Sequence, residues 1–269
     1  MIPLSLAHLT VLQVPPPRLF DLAAEAGYQN VGIRILPAAP GGPSYPLSRP
    51  VVAQWRTRMR EAGVGVHDVE LVPLSPELDV EPFAQTLELA AELGARRINV
   101  TGDDEDFDRL AERFGRLCDI AAAVGLGVDL EFMRFRAIGT LQQALMVVER
   151  AARPNGRLLI DVLHLVGSRG RAQMLARVPA SALGSVQLCD APLHLPSGLE
   201  LADEARQARL FPGEGELPLK EILGALPAGI PVGVEVPTGK SHPLLGDVER
   251  ARLACATTRD LLEAWRPRP

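Results

Sequence analysis

Three carboxylates and one amide stand where a chain of this character should place apolar residues. VDLEF carries Glu131, LLIDVLH carries Asp161 with His164 three residues on, SVQLCD carries Gln187 and Asp190, and PVGVEV carries Glu235. Each segment otherwise reads as a short apolar strand, the kind buried on both faces of a parallel sheet. Carboxylates gathered at one place repel. A divalent cation relieves that repulsion, because carboxylate and amide oxygens are hard ligands. The competing reading gives each carboxylate its own salt bridge to a rim arginine, which suits one residue better than four on successive strands. His164, past the end of its strand, can donate a proton or hydrogen bond to a substrate oxygen, or merely bond a neighbouring backbone group.

A second set of residues lines the approaches. Arg34 ends a strand and is a candidate substrate contact. His67, Asp68 and Glu70 share the next strand, where alternation puts Asp68 and Glu70 on one face and His67 on the other. His8 is read on the first strand. A buried ion pair is the structural alternative for any of them. Arg206 and Arg209 lie in EARQARLFPGEGELPL, with Gly213 and Gly215 able to fold that loop tightly. His194 and His242 read as surface residues. Asp190 reads as support for a metal ligand or as a turn cap. Cys189 reads as a small buried residue, since the sequence sets no histidine beside it.

These residues need a scaffold, and the chain announces one by repetition. AAEAGYQNVGIR, REAGVGVHDVEL, AAELGARRINV and AAAVGLGVDLEF each run from a helical end through a glycine into an apolar strand. The glycines are Gly27, Gly63, Gly94 and Gly125, at the position where a left-handed residue closes a helix. GRLLIDV, GSVQLCD and PVGVEV continue the rhythm, and PLSLAHLT supplies the first strand. The segments 139–153, 168–178, LPLKEILGAL and VERARLACATTRDLLEAW read as helices. Eight strands alternating with helices, without a dinucleotide-binding glycine fingerprint, predict a (β/α)₈ TIM barrel rather than an open sheet, as one domain over 1–269. The long loops 35–47 and 191–216 then fall on the face where such a barrel keeps its active site. The second is also where a homo-oligomer interface would form.

Bulk properties exclude some classes. Across 269 residues the net charge is −5, which argues against a nucleic-acid partner. Three cysteines without a C-x-x-C pair argue against disulfides and structural zinc and fit a reducing cytoplasm. The opening residues make a poor signal peptide, and no apolar run is long enough to suggest a membrane span.

The strand-end residues, with the D-x-x-H pair Asp161 and His164, resemble the xylose isomerase-like superfamily of sugar isomerases and epimerases. Ketose 3-epimerases, hydroxypyruvate isomerase, inosose dehydratase and 3-dehydroshikimate dehydratase belong to that group. The resemblance covers nearly the whole chain and is thinnest in residues 35–60. It implies a metal set of Glu131, Asp161, Gln187 and Glu235, one residue from each of strands five to eight. It also implies His164 beside the substrate and an arginine of the strand-seven loop, Arg209 or Arg206, touching it. Many sugar epimerases carry histidine where this chain has Gln187, whereas glutamine occurs there in dehydroshikimate dehydratases. With no nitrogen in the inner set, Mn²⁺ or Mg²⁺ is favoured, with Co²⁺ or Zn²⁺ as alternatives. The implied activity is isomerisation or epimerisation of a small sugar or sugar phosphate, Glu131 and Glu235 acting as base and acid on opposite faces. Dehydration of the 3-dehydroshikimate type is the first alternative. A histidine-rich multi-zinc DNA-repair nuclease and a non-catalytic sugar-binding barrel are more distant ones.

Overall fold

A computed structural model describes residues 2–38 and 41–265. Eight parallel strands close into a barrel in sequence order: β1 (Leu4–Leu6), β2 (Asn30–Arg34), β3 (Gly65–Leu74), β4 (Arg97–Gly102), β5 (Gly127–Glu131), β6 (Gly156–Asp161), β7 (Leu183–Leu188) and β8 (Val232–Val234). The closure is made where Leu4, Ser5 and Leu6 register against Val232, Gly233 and Val234. Around it lie α1 (Pro16–Ala26), α2 (Arg49–Ala62), α3 (Phe83–Leu93), α4 (Phe107–Ala122), α5 (Leu141–Ala151), α6 (Val162–Gly167), α7 (Ala172–Leu175), α8 (Leu201–Gln207), α9 (Leu219–Ala225) and α10 (Asp247–Ala264). The single-domain TIM barrel is therefore as the repeated phrase implied.

Local chemistry sets the helix ends. Gly27, Gly63 and Gly94 follow α1, α2 and α3 directly with φ of 91°, 68° and 100°, a conformation costly for any residue with a Cβ. Asp106 caps α4 by accepting from the Asp108 and Arg109 amides, and Leu110, Phe114, Leu117 and Ala121 recur down its buried face. Thr140 and Gln143 form a capping box at the start of α5.

Three expectations change. His8 lies not on β1 but in the 3₁₀ turn after it, buried. Of the helix expected over 168–178 only the short α7 (Ala172–Leu175) forms, and α6 lies wholly before that segment, starting directly after Asp161, whose side chain caps it. The strand-seven loop contains α8, held by an ion pair from Arg134 to the buried Glu204. Residues 39 and 40 of the loop after β2 lie outside the described residues.

Beneath the rim the barrel interior is partly polar. Asp129 accepts from Ser185 Oγ at 2.8 Å and pairs with Arg97, while Asp68 accepts from Asn99 Nδ2 at 2.9 Å. Room for them comes from opposing glycines: a Cβ on Gly184 would collide with the Asp129 carboxylate, and one on Gly32 with that of Asp68. Burial, with the nearby acids Glu70, Asp129 and Glu235, raises the Asp68 pKa well above the carboxylate range.

Candidate active site and metal centre

The C-terminal strand ends bring the chemistry together. Glu131 ends β5, Asp161 ends β6, Gln187 lies in β7, and Glu235 directly follows β8; all four are buried. Gln187 Nε2 donates to Glu235 Oε1 at 3.2 Å. His164 sits in α6, also buried. One ligand atom each from Glu131, Asp161 and His164 fall within 4.8 Å of one another, a spacing that suits a single cation. The tightest cluster of acids and imidazole thus includes His164, which the sequence reading set beside the substrate, while Glu235 is engaged with Gln187 and Arg209.

Asp161 is held from two directions. One oxygen, Oδ1, accepts from the amides of Leu163 at 2.7 Å and His164 at 3.3 Å, and the other meets Arg209 Nη1 at 2.6 Å. The second guanidinium nitrogen lies 2.8 Å from Glu235 Oε2, and Arg209 Nε donates to the Ala205 carbonyl at 2.8 Å. Arg209 is only 1% exposed, so this cation is built into the site. Asp161 and Glu235 are paired with it, the buried Glu131 is not, and the proton affinities of the three carboxylates record the imbalance. Burial, reinforced by Glu235 and Asp161, pushes the Glu131 carboxyl well above its usual range. Burial, against the pull of Arg209, raises Glu235 to about 8. Asp161 alone moves down: burial opposes its ionisation, and Arg209 with His164 outweighs it. Burial lowers the His164 imidazole to about 4, so it is neutral near pH 7.

The donor set fits a divalent ion. Glu131 Oε1, Gln187 Oε1 and both ring nitrogens of His164 are buried without a hydrogen-bond partner. Such atoms cost folding free energy unless something satisfies them, and carboxylate, amide oxygen and imidazole together suit a hard or borderline dication. His164 adds the nitrogen donor that the sequence-derived set lacked.

The pocket above has a volume of about 440 Å³, of the order of known small-molecule sites. Glu131, Glu235, His164, Arg209 and Arg34 all line it. Arg34 is spent on Glu70, with nitrogens 3.1 and 3.2 Å from Glu70 Oε1. His8 Nδ1 accepts from the Arg34 amide at 3.0 Å, and its Nε2 lies 2.9 Å from the Val14 carbonyl, which makes it a structural imidazole. Asp190 supports no ligand. It accepts from Ala191, Gly213 and Leu217 amides, and so ties down the strand-seven loop. Burial raises the Cys189 thiol to about 12, which fits the inert residue expected. His67 lies outside this pocket: β3 shifts register against β2 at His67, between Val66 and Asp68, and His67 lines a small cavity deeper in the barrel together with Asp68, so the alternation expected between those two is broken. Phe135, in the β5–α5 loop, went unremarked in the sequence: its ring packs edge-on against His164 at 5.5 Å, and Arg206 stands 5.7 Å above it.

Known proteins resemble this chain along nearly its whole length. Its fold is shared with the IolI protein crystallised with a bound zinc atom, 19% identical over 99% of both chains with a TM-score of 0.83. It is shared too with D-psicose 3-epimerase in the presence of D-fructose, 15% identical over 97% of this chain and 98% of that one, TM-score 0.74. In sequence, 120 residues (44% of the chain) are 31% identical to a 3-dehydroshikimate dehydratase of Pseudomonas aeruginosa. A further match, 25% over 155 residues, is to the Pseudomonas putida enzyme of that name. The chain spans about a fifth of the length of these curated relatives, 18% and 22% respectively. A family model covers residues 20–260, and the chain belongs to the xylose isomerase-like TIM barrel family.

Proposed function

We propose that this barrel is a metal-dependent isomerase or epimerase that moves a proton at carbon next to the carbonyl of a small sugar or sugar phosphate. The observation that carries the reading is the pair Glu131 and Glu235. Both are buried in one small pocket, and both have carboxyls raised out of the usual acid range. A carboxylate raised toward neutrality, as Glu235 is at about 8, serves as base and acid alike. A divalent cation, held by Glu131, Asp161, Gln187 and Glu235 with His164 in reach, supplies Lewis acidity that acidifies the neighbouring C–H. Mn²⁺ or Mg²⁺ suits the oxygens, and the His164 nitrogen widens the choice to Co²⁺ or Zn²⁺. One glutamate takes the proton from carbon and the other returns one. Arg209 fixes the Glu235 carboxylate, and His164 faces the substrate oxygens. No helix among the described residues is long and apolar enough to cross a membrane.

A second reading, a dehydratase, is favoured by the sequence relatives named above and by Gln187. It shares the first proton removal and then expels the hydroxyl as water, the proton taken from carbon being delivered to it by the glutamate, with the neutral His164 ring in place to donate a hydrogen bond to the departing oxygen. Incubation of the Mn²⁺-supplemented protein in D₂O with ketoses, their phosphates and 3-dehydroshikimate separates the two. Deuterium at the carbon next to the carbonyl, without loss of water, is the expected result. A dehydrated, ultraviolet-absorbing product from 3-dehydroshikimate, with no exchange into any sugar, overturns it in favour of the lyase.

A further inference from the structure

The pocket is rich in arginine, but its arginines are not equivalent. Arg34 is paired with Glu70, Arg136 with Asp103, Arg209 with Asp161 and Glu235, and Arg250 with Asp247. Arg206 also lines the pocket, yet among the described residues it has no acidic partner. It is exposed, and its guanidinium rests over the face of Phe135. Phe135 in turn touches His164, so one aromatic ring separates this cation from the imidazole of the metal cluster.

The placement is held in position. Arg134 and Phe135 belong to the same loop, and the Arg134–Glu204 ion pair fastens that loop to α8, which carries Arg206 two residues beyond Glu204. A guanidinium laid on an aromatic face keeps its edge donors free, and those donors match a carboxylate or a phosphate.

We propose that Arg206 receives an anionic group, carboxylate or phosphate, at the end of the substrate remote from the reacting carbonyl. The substrate class is therefore an acid or phosphate ester rather than a neutral sugar. This rests on the reading of the pocket given above. Arg209, the other arginine of the loop, is a buried partner of the carboxylates.

Binding of D-ribulose, D-ribulose 5-phosphate and 3-dehydroshikimate to the Mn²⁺-supplemented protein, followed by ligand-observed NMR, tests the assignment. The three carry no charge, a phosphate and a carboxylate. Wild type should bind one of the anions about tenfold more tightly than ribulose, the worth of one good charged hydrogen-bonded contact. Arg206→Gln should erase that margin, Arg206→Lys should retain part of it, and added salt should shrink it. The anion that wins identifies the tail. Equal binding of neutral and charged ligands, binding of none of them, or a margin that survives Arg206→Gln overturns the proposal. Deuterium exchange at carbon is scored separately. No exchange with any ketone, beside an intact margin, sinks the reaction and spares Arg206; exchange without a margin does the reverse.

Discussion

Arg209 Nη1 stands 2.6 Å from Asp161 Oδ2, with both side chains shut off from solvent. The sequence separates them by 48 residues and a whole βα unit. Removing one partner of a buried ion pair leaves the other charged and unsatisfied, at a cost of about 3–5 kcal/mol. Arg209→Met should lower the stability of the metal-free protein by that order, read as a shift of the urea midpoint. Added Mn²⁺ should restore part of the loss, because a ligand that binds only the folded state stabilises it by mass action. An unchanged midpoint would show that the pair contributes nothing.

Glu235→Gln should cost about a hundredfold or more in turnover while the fold survives, as removal of an acid–base group commonly does. Activity within a factor of two of wild type would remove Glu235 from the chemistry. Circular dichroism checks the fold independently.

The same carboxyl makes the metal-free protein pH-sensitive. Its folded pKa of about 8 lies above the ordinary 4.5, so the native state binds the proton more tightly than the unfolded chain does. That contribution is fully present below about 4.5 and is lost as pH rises through about 8. In the presence of chelator, Glu235→Gln should therefore become steadily more stable relative to wild type between those limits. Denaturation midpoints across the range, parallel for the two proteins, would contradict it.

Two ligand sets compete at the centre: the sequence-derived one has Gln187 and Glu235, and the cluster within 4.8 Å has His164 in their place. Gln187→Leu should weaken Mn²⁺ binding at least tenfold, the lower end of the losses common at metal sites. His164→Leu should spare most of the binding and abolish turnover. Calorimetry that finds the reverse moves the ligand role to the imidazole.

Packing beneath the site makes a prediction about folding alone. Gly184→Ala thrusts a methyl at the Asp129 carboxylate, which is already held by Ser185 and Arg97. Overpacking of this kind costs about 1–3 kcal/mol, and thermal melting should register it without change in metal affinity.

The barrel was legible because it repeats. Four helix–glycine–strand phrases mark the period, and buried parallel strands stand out as short apolar runs. The strand-end carboxylates were legible for the same reason, as polar residues against an apolar background. What stayed hidden is what depends on distance through space. Nothing in EARQARL tells which arginine turns inward; burial of Arg209 and exposure of Arg206 follow from where the Glu204–Arg134 pair sets α8. Phe135 gave no signal because an aromatic residue in a loop resembles many others. His164 was singled out, but its place within 4.8 Å of Glu131 and Asp161 required α6 to begin immediately at Asp161.

That double duty of Asp161, capping α6 while facing the metal cluster, divides the pocket into parts with different freedom to change. Replacing Asp161 would lose a helix start and displace His164 along with the chemistry, so folding itself guards this half against drift. Arg206 and Phe135 cap nothing and bridge no strands, and they can be exchanged one at a time on an intact barrel. New substrates would thus be acquired at the rim while the reaction is inherited from the floor, and a search for altered specificity should be aimed at the 133–137 segment and α8.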